Sequence, residues 1–165
     1  MDSDLTLDFI IIIVLIIANG LFSMTELAIV NAKKRKLEEL AEAGNERAKK
    51  AFELAENPND MFSTIQIGIT LVGILTGLYS GATFSGPLEE ILTANIPSIE
   101  PYAASVSSFL IVAIITYLSL VIGELVPKRL ALNSPEGIAV VVAKPIYWLS
   151  VALKPIVSFL GISTE

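Results

Sequence analysis

The run LDFIIIIVLIIANGLFSMTELAIV, residues 7–30, decides the fold class: it is 24 residues long and its only charges, Asp8 and Glu26, sit near its ends. A bilayer core demands about 20 consecutive, mainly apolar residues, so this stretch is long enough to cross one. Two more runs share the property, residues 61–84 (24 residues) and 102–127 (26 residues). Across all 165 residues, 53% are hydrophobic and 17% charged, whereas a soluble domain carries about a quarter charged residues. The mean hydropathy of +0.70 agrees. Asp2, Asp4 and Asp8 flank the first run where a cleaved signal would carry basic residues. The sequence therefore predicts a single all-α integral membrane domain over residues 1–165.

The charges set the expected topology. All eleven Lys and Arg fall between Lys33 and Lys50 or between Lys128 and Lys154, while the amino terminus and residues 85–101 carry only acids. The positive-inside bias then places the amino terminus outside the cell membrane, residues 33–60 inside, 85–101 outside and the carboxyl end in the cytoplasm. Three transmembrane helices satisfy both charge and length. Residues 31–57, rich in Ala, Glu, Lys and Leu and broken at Gly44-Asn45, read as a cytoplasmic helical hairpin. Residues 85–101, with Pro87, Pro97 and Pro101, are expected to form an ordered loop with about one helical turn. The fourth apolar run, 138–160, carries Lys144-Pro145 and Lys154-Pro155. Prolines break or kink helices and a central lysine is costly in a span, so short interfacial helices are expected over 135–160, starting at Ser134-Pro135-Glu136. The chain ends at Ser163-Thr164-Glu165 with no soluble domain, which suggests a piece of a longer protein.

Absence of cysteine and histidine removes thiolate nucleophiles, zinc sites of the usual kind and the commonest general base. An enzyme is not expected. A net charge of −6 with no basic stripe argues against nucleic acid as a partner. Chemistry must come from the polar groups inside the spans, which bilayers otherwise select against. Asn19, Ser23 and Glu26 share one face of the first span; Gln66, Thr70, Gly73 and Gly77 share one in the second; Thr116, Ser119 and Gly123 line the third, with Glu124 beside them. At about 1.5 Å per residue from the inner ends, Asn19 lies ~16 Å deep, Ser23 ~10, Gln66 ~8, Thr70 ~14, Ser119 ~12 and Glu124 ~5 Å. Pro127 has no N–H, so the Gly123 carbonyl loses its i−4 helical partner and is expected to be free beside Glu124. Amide, hydroxyl, carbonyl and carboxylate oxygens without nitrogen or sulfur suit a hard cation: Mg²⁺, Ca²⁺ or Na⁺.

Other readings of these groups stand beside that one. Thr116 and Ser63 suit bonds to their own helices, Asn19 and Gln66 suit interhelical glue, and Glu26 suits an ion pair with Lys33 or Lys128, or a secondary ion contact shared with Ser119. Gly73, Gly77 and Gly81 form a doubled small-xxx-small stripe that, with Pro127, reads as helix packing, within one chain or across a homodimer.

Three motifs in order, residues 19–28 (NGLFSMTELA), 64–71 (TIQIGITL) and 123–128 (GELVPK), resemble the CorC/cyclin M family over nearly the whole chain. The resemblance implies a homodimeric, Na⁺-linked Mg²⁺ transporter, usually credited with efflux, whose membrane domain precedes a cytosolic CBS module absent here. It also implies a dehydrated Mg²⁺ held by Asn19, Ser23, the Gln66–Thr70 turn, the Gly123 carbonyl and Glu124. Many relatives have Asn at or beside positions 69 and 70, where this chain has Ile69 and Thr70. The rival is a non-transporting membrane anchor or Mg²⁺-sensing module whose polar residues only hold helices together.

Overall fold

The computed structural model describes residues 2–164, and all regular elements among them are helical. Helix α1 (Asp2–Asn31) leads into two short helices, α2 (Lys34–Glu42) and α3 (Glu46–Glu56). Helix α4 (Asn59–Asn95) follows, then a 3₁₀ turn (Pro97–Tyr102), α5 (Ala103–Leu120), a π-helical turn (Val121–Leu125), α6 (Val126–Asn133) and α7 (Pro135–Thr164). Among the described residues four stretches are long and apolar enough to cross a membrane: Leu5–Asn31, Asn59–Asn95, Pro97–Asn133 and Pro135–Val157. The architecture is that of an all-α membrane protein, with one more candidate crossing than the three expected.

The connector between α1 and α4 follows local chemistry. Gly44 takes φ +90°, which only glycine adopts without strain, and so ends α2. Asn45 then caps α3, its side-chain oxygen accepting from the N–H groups of Arg47 (3.0 Å) and Ala48 (3.1 Å). One face of each helix is apolar: Leu37, Ala51, Leu54 and Ala55 are buried with Ile29 and Ala32 of the α1 end, Met61 and Ile65 of α4, and Ala139, Ala143 and Ile146 of α7. This core sits at the lysine-rich end of the bundle. Lys50 caps it from above, 3.8 Å over the Tyr147 ring and 2.6 Å from Glu53. The hydrogen bond to the Glu53 carboxylate raises the Lys50 pKa above the ordinary lysine value, against a smaller opposing effect of desolvation.

Two sequence expectations need correcting. The loop expected at 85–101 is mostly helix, because α4 continues through Pro87 to Asn95 and leaves only Ile96 and the 3₁₀ turn as connector. Pro87 forfeits one backbone bond, which the helix-forming Leu88-Glu89-Glu90 run after it offsets. The short interfacial helices expected at 135–160 are instead one helix, α7, with Pro145 and Pro155 inside it. Packing of Ala139, Ala143 and Ile146 into the core holds that helix together across the first proline.

The course of α7 follows from its polar contacts. Near its start Glu136 accepts from the Lys33 backbone N–H (3.4 Å) and lies 3.5 Å from the Lys36 ammonium. Farther along, Ser150, Val151 and Lys154 border a cavity shared with Lys50 and Asp60. Residues 136 and 154 are about 27 Å apart along a helix, yet one contacts the charged connector and the other borders a cavity with it. Helices α1 and α4 run antiparallel, with Phe22 against Gly68 and Tyr79 donating to the Asp8 carboxylate near the acidic end.

Replacing Asn45 with Ala should strip the first turn of α3 of its cap and weaken the hairpin by about 1 kcal/mol. Amide exchange would then accelerate at Arg47 and Ala48 while α4 and α5 stay protected.

Candidate functional site

The site is built where α1 crosses the π turn. The ring of Pro127 removes an N–H from the helix, and the backbone widens over Val121–Leu125, the Val126 N–H bonding back to the Val121 carbonyl. The Gly123 carbonyl is not left free as expected: the Asn19 amide Nδ2 donates to it at 3.0 Å. Two glycines make this approach possible. A Cβ on Gly20 would stand 2.9 Å from the Pro127 ring and 3.2 Å from the Ile122 carbonyl; one on Gly123 would stand 3.2 Å from both Asn19 Nδ2 and the Ile16 carbonyl. Pro127 is thus a packing residue, buried against α1.

Committing its amide nitrogen to Gly123 fixes the orientation of Asn19. Its Oδ1 is buried and has no partner. An unpaired buried acceptor costs about 1–3 kcal/mol, which a cation or a donor from a ligand would recover. Asn19 borders a cavity of about 210 Å³ whose other polar walls are Thr76 on α4, Thr116 and Ser119 on α5, and Glu124 on the π turn. Thr76 donates its hydroxyl hydrogen to the Val72 carbonyl (2.7 Å), so what it can offer a ligand is oxygen lone pairs. The walls are therefore rich in acceptors, with one carboxylate. That carboxylate holds a cation already: Lys128 Nζ lies 2.7 Å from Glu124 Oε1, both side chains being about one-third exposed. A larger cavity of 340 Å³, between Leu21 and Phe22 of α1 and Val142 and Ile146 of α7, is lined without charge and offers a cation nothing comparable.

The residues expected to form the site divide. Asn19, Ser119 and Glu124 share the cavity, and Gly123 is tied to it through Asn19. Ser23 is buried (2% exposed) one turn from Asn19 on the same face. Gln66 and Thr70 continue the α4 stripe toward the lysine-rich end but are exposed and do not border the cavity. Gly73 and Gly77 do border it, and among the described residues a Cβ at either of them or at Gly81 would meet no atom within 4 Å beyond its own helix turn. Among the described residues Glu26 makes no ion pair, with Lys33 or with Lys128, and Lys128 is committed to Glu124. Among the described residues no three Asp, Glu, Cys or His side chains cluster, so any ion held here meets a single carboxylate. Thr76 was missed because a lone threonine bonded to its own helix carries no sequence signal; the glycines on either side, at 73 and 77, were its only hint.

Residues 10–165 match the family described as the cyclin M transmembrane N-terminal domain. The chain is 50% identical over 163 residues, 99% of its length, to UPF0053 protein sll0260 of Synechocystis sp., and 32% over 158 residues, 95% of its length, to UPF0053 protein YugS of Bacillus subtilis, covering 36% of each. It is 31% identical over 149 residues, 90% of its length, to the Polyamine export protein of Escherichia coli (strain K12), covering 33% of it. The chain thus spans about a third of the length of the curated relatives it matches.

The two sets of glycines should respond oppositely. Gly77→Ala should leave thermal stability in detergent unchanged or higher, because its Cβ enters open space and Ala is the better helix former by about 1 kcal/mol. Gly20→Leu should destabilise by about 1–3 kcal/mol, because the Pro127 ring and the Ile122 carbonyl cannot both retreat.

Proposed function

The chain belongs to the cyclin M transmembrane family, and on that premise we propose that it is the membrane domain of a transporter carrying Mg²⁺ out of the cell through the Asn19–Glu124 cavity. The observation that carries this reading is the pairing of a partnerless buried oxygen, Asn19 Oδ1, with a carboxylate on a different helix around one cavity. Oxygen-only walls select hard cations. One carboxylate neutralises half the charge of a divalent ion, so the site binds moderately and releases, as a carrier must. Ser23 extends the oxygen track one turn toward the lysine-rich end, where exposed Gln66 and Thr70 line the approach. Family resemblance alone suggests Na⁺ as the coupling ion and a cytosolic CBS module in the longer protein.

The proposed topology has three crossings. Helix α7 stays beside the charged connector at both Glu136 and Lys154, whereas a crossing helix would leave that level within a few turns. Exposed Lys144 and Trp148 suit a headgroup position. The positive-inside bias then puts the connector and α7 in the cytoplasm and the amino terminus outside. The glycine stripe of α4, unpacked within the chain, is the surface proposed to seat a second copy.

A second reading is favoured by one contact. The Glu124 carboxylate binds a primary ammonium, that of Lys128, and such a group is what a polyamine presents; the Escherichia coli relative is named a polyamine export protein. Proteoliposomes loaded with Mg²⁺ or with labelled spermidine separate the cargoes. Mg²⁺ flux that Glu124→Gln lowers at least tenfold, with folding retained, is the expected result. Spermidine flux without Mg²⁺ flux would establish the second reading, and flux of neither would leave the chain as an anchor.

A further inference from the structure

Lys128 stands one helical turn from Glu124 toward the lysine-rich end, and its ammonium occupies the carboxylate that a cation cargo needs. The two cannot share it. An ammonium 2.7 Å from Oε1 and a divalent ion on the same carboxylate would stand within a few ångströms of each other and repel. We propose that Lys128 is a tethered counter-cation: it neutralises Glu124 while the site is empty and is displaced each time cargo binds, thereby setting the affinity of the site. The proposal rests on the reading of Glu124 as the cargo carboxylate.

The geometry confines the exchange to a side chain. Pro127 is buried against Gly20, Gly123 against Asn19 and Ile16, and Ala131 is fully buried one turn farther on, so the backbone from 123 to 131 is held against α1 at each turn. The Lys128 side chain is about one-third exposed and its flexible stem can carry the ammonium away to the lysine-rich surface. Charge explains why such a device is needed. An empty carboxylate facing a cavity between spans is costly, and the carrier must spend part of each cycle empty. With Lys128 docked the pair is neutral; with Mg²⁺ bound and Lys128 withdrawn, the ion and Glu124 carry a net +1. Glu26 does not compete for Lys128, since it makes no ion pair among the described residues.

Two measurements on the chain in lipid nanodiscs test this. Mg²⁺ titration calorimetry compares wild type, Lys128→Met, Lys128→Arg and Glu124→Gln. If Lys128 holds Glu124 about nine-tenths of the time, its removal tightens Mg²⁺ binding about tenfold, and Lys128→Arg restores the weaker binding. Acetylation by an amine-reactive ester, read by mass spectrometry on the wild type, reports the displacement itself: saturating Mg²⁺ should raise the reactivity of Lys128 several-fold while that of Lys154 stays constant. A Lys128→Met protein that binds Mg²⁺ no more tightly than wild type, or a Lys128 amine equally reactive with and without Mg²⁺, overturns the proposal. Should Lys128→Met fail to fold, the labelling decides alone. Glu124→Gln binding Mg²⁺ as wild type does would instead overturn the underlying site.

Discussion

The structure depends on a carbonyl that its own helix does not satisfy in the ordinary way. Pro127 withdraws the N–H that would have bonded to Gly123, in a setting where water cannot replace it. The π turn at Val121–Leu125 and the Asn19 amide together answer that deficit, and the answer fixes everything nearby. Drawing the amide nitrogen of Asn19 to Gly123 leaves its oxygen buried and unpaired. Gly20 and Gly123 let the backbones approach closely enough for the bond to form. One missing hydrogen thereby accompanies a close helix crossing and a buried acceptor without a partner.

The lysine-rich end is organised by different forces. There a conventional apolar core joins the connector helices to α7, and the ionic contacts of Glu136 and the Lys50–Tyr147 stacking surround it. This belt holds α1 and α4 by the ends nearest the lysine-rich connector, while α4 farther along leaves open space at Gly73, Gly77 and Gly81 among the described residues. The cavity lined by Asn19, Thr76, Ser119 and Glu124 lies outside this belt.

Much of this was legible in the sequence where a single physical rule dominates. Hydropathy marked residues 7–30, 61–84 and 102–127, and polar residues inside them pointed to Asn19, Ser119 and Glu124. Depth counting matched α1 to α4, where Phe22 meets Gly68, but misplaced the third run: Asn19, put ~16 Å deep, bonds to Gly123 beside Glu124, put ~5 Å deep, because the helix continues past Pro127 to Asn133. Pro87, Pro145 and Pro155 misled because a proline's cost is local, whereas helix continuity is decided by the packing and propensity of the residues around it. The Gly123 carbonyl was rightly singled out as deprived but wrongly expected to stay free, since nothing in one strand of sequence says which neighbour will reach it. The same limit hid Thr76 and paired Lys128 with Glu124 rather than Glu26.

The central claim is that oxygens from α1 and from the π turn converge on one cation. Difference density between crystals of the protein grown with and without Mg²⁺, supported by anomalous scattering from Mn²⁺ in its place, addresses it most directly. The account predicts a peak between Asn19 Oδ1 and the Glu124 carboxylate, with Lys128 withdrawn from Glu124. A cavity without density at saturating ion, or a peak only among Glu53, Asn57 and Asp60 at the lysine-rich end, would contradict it.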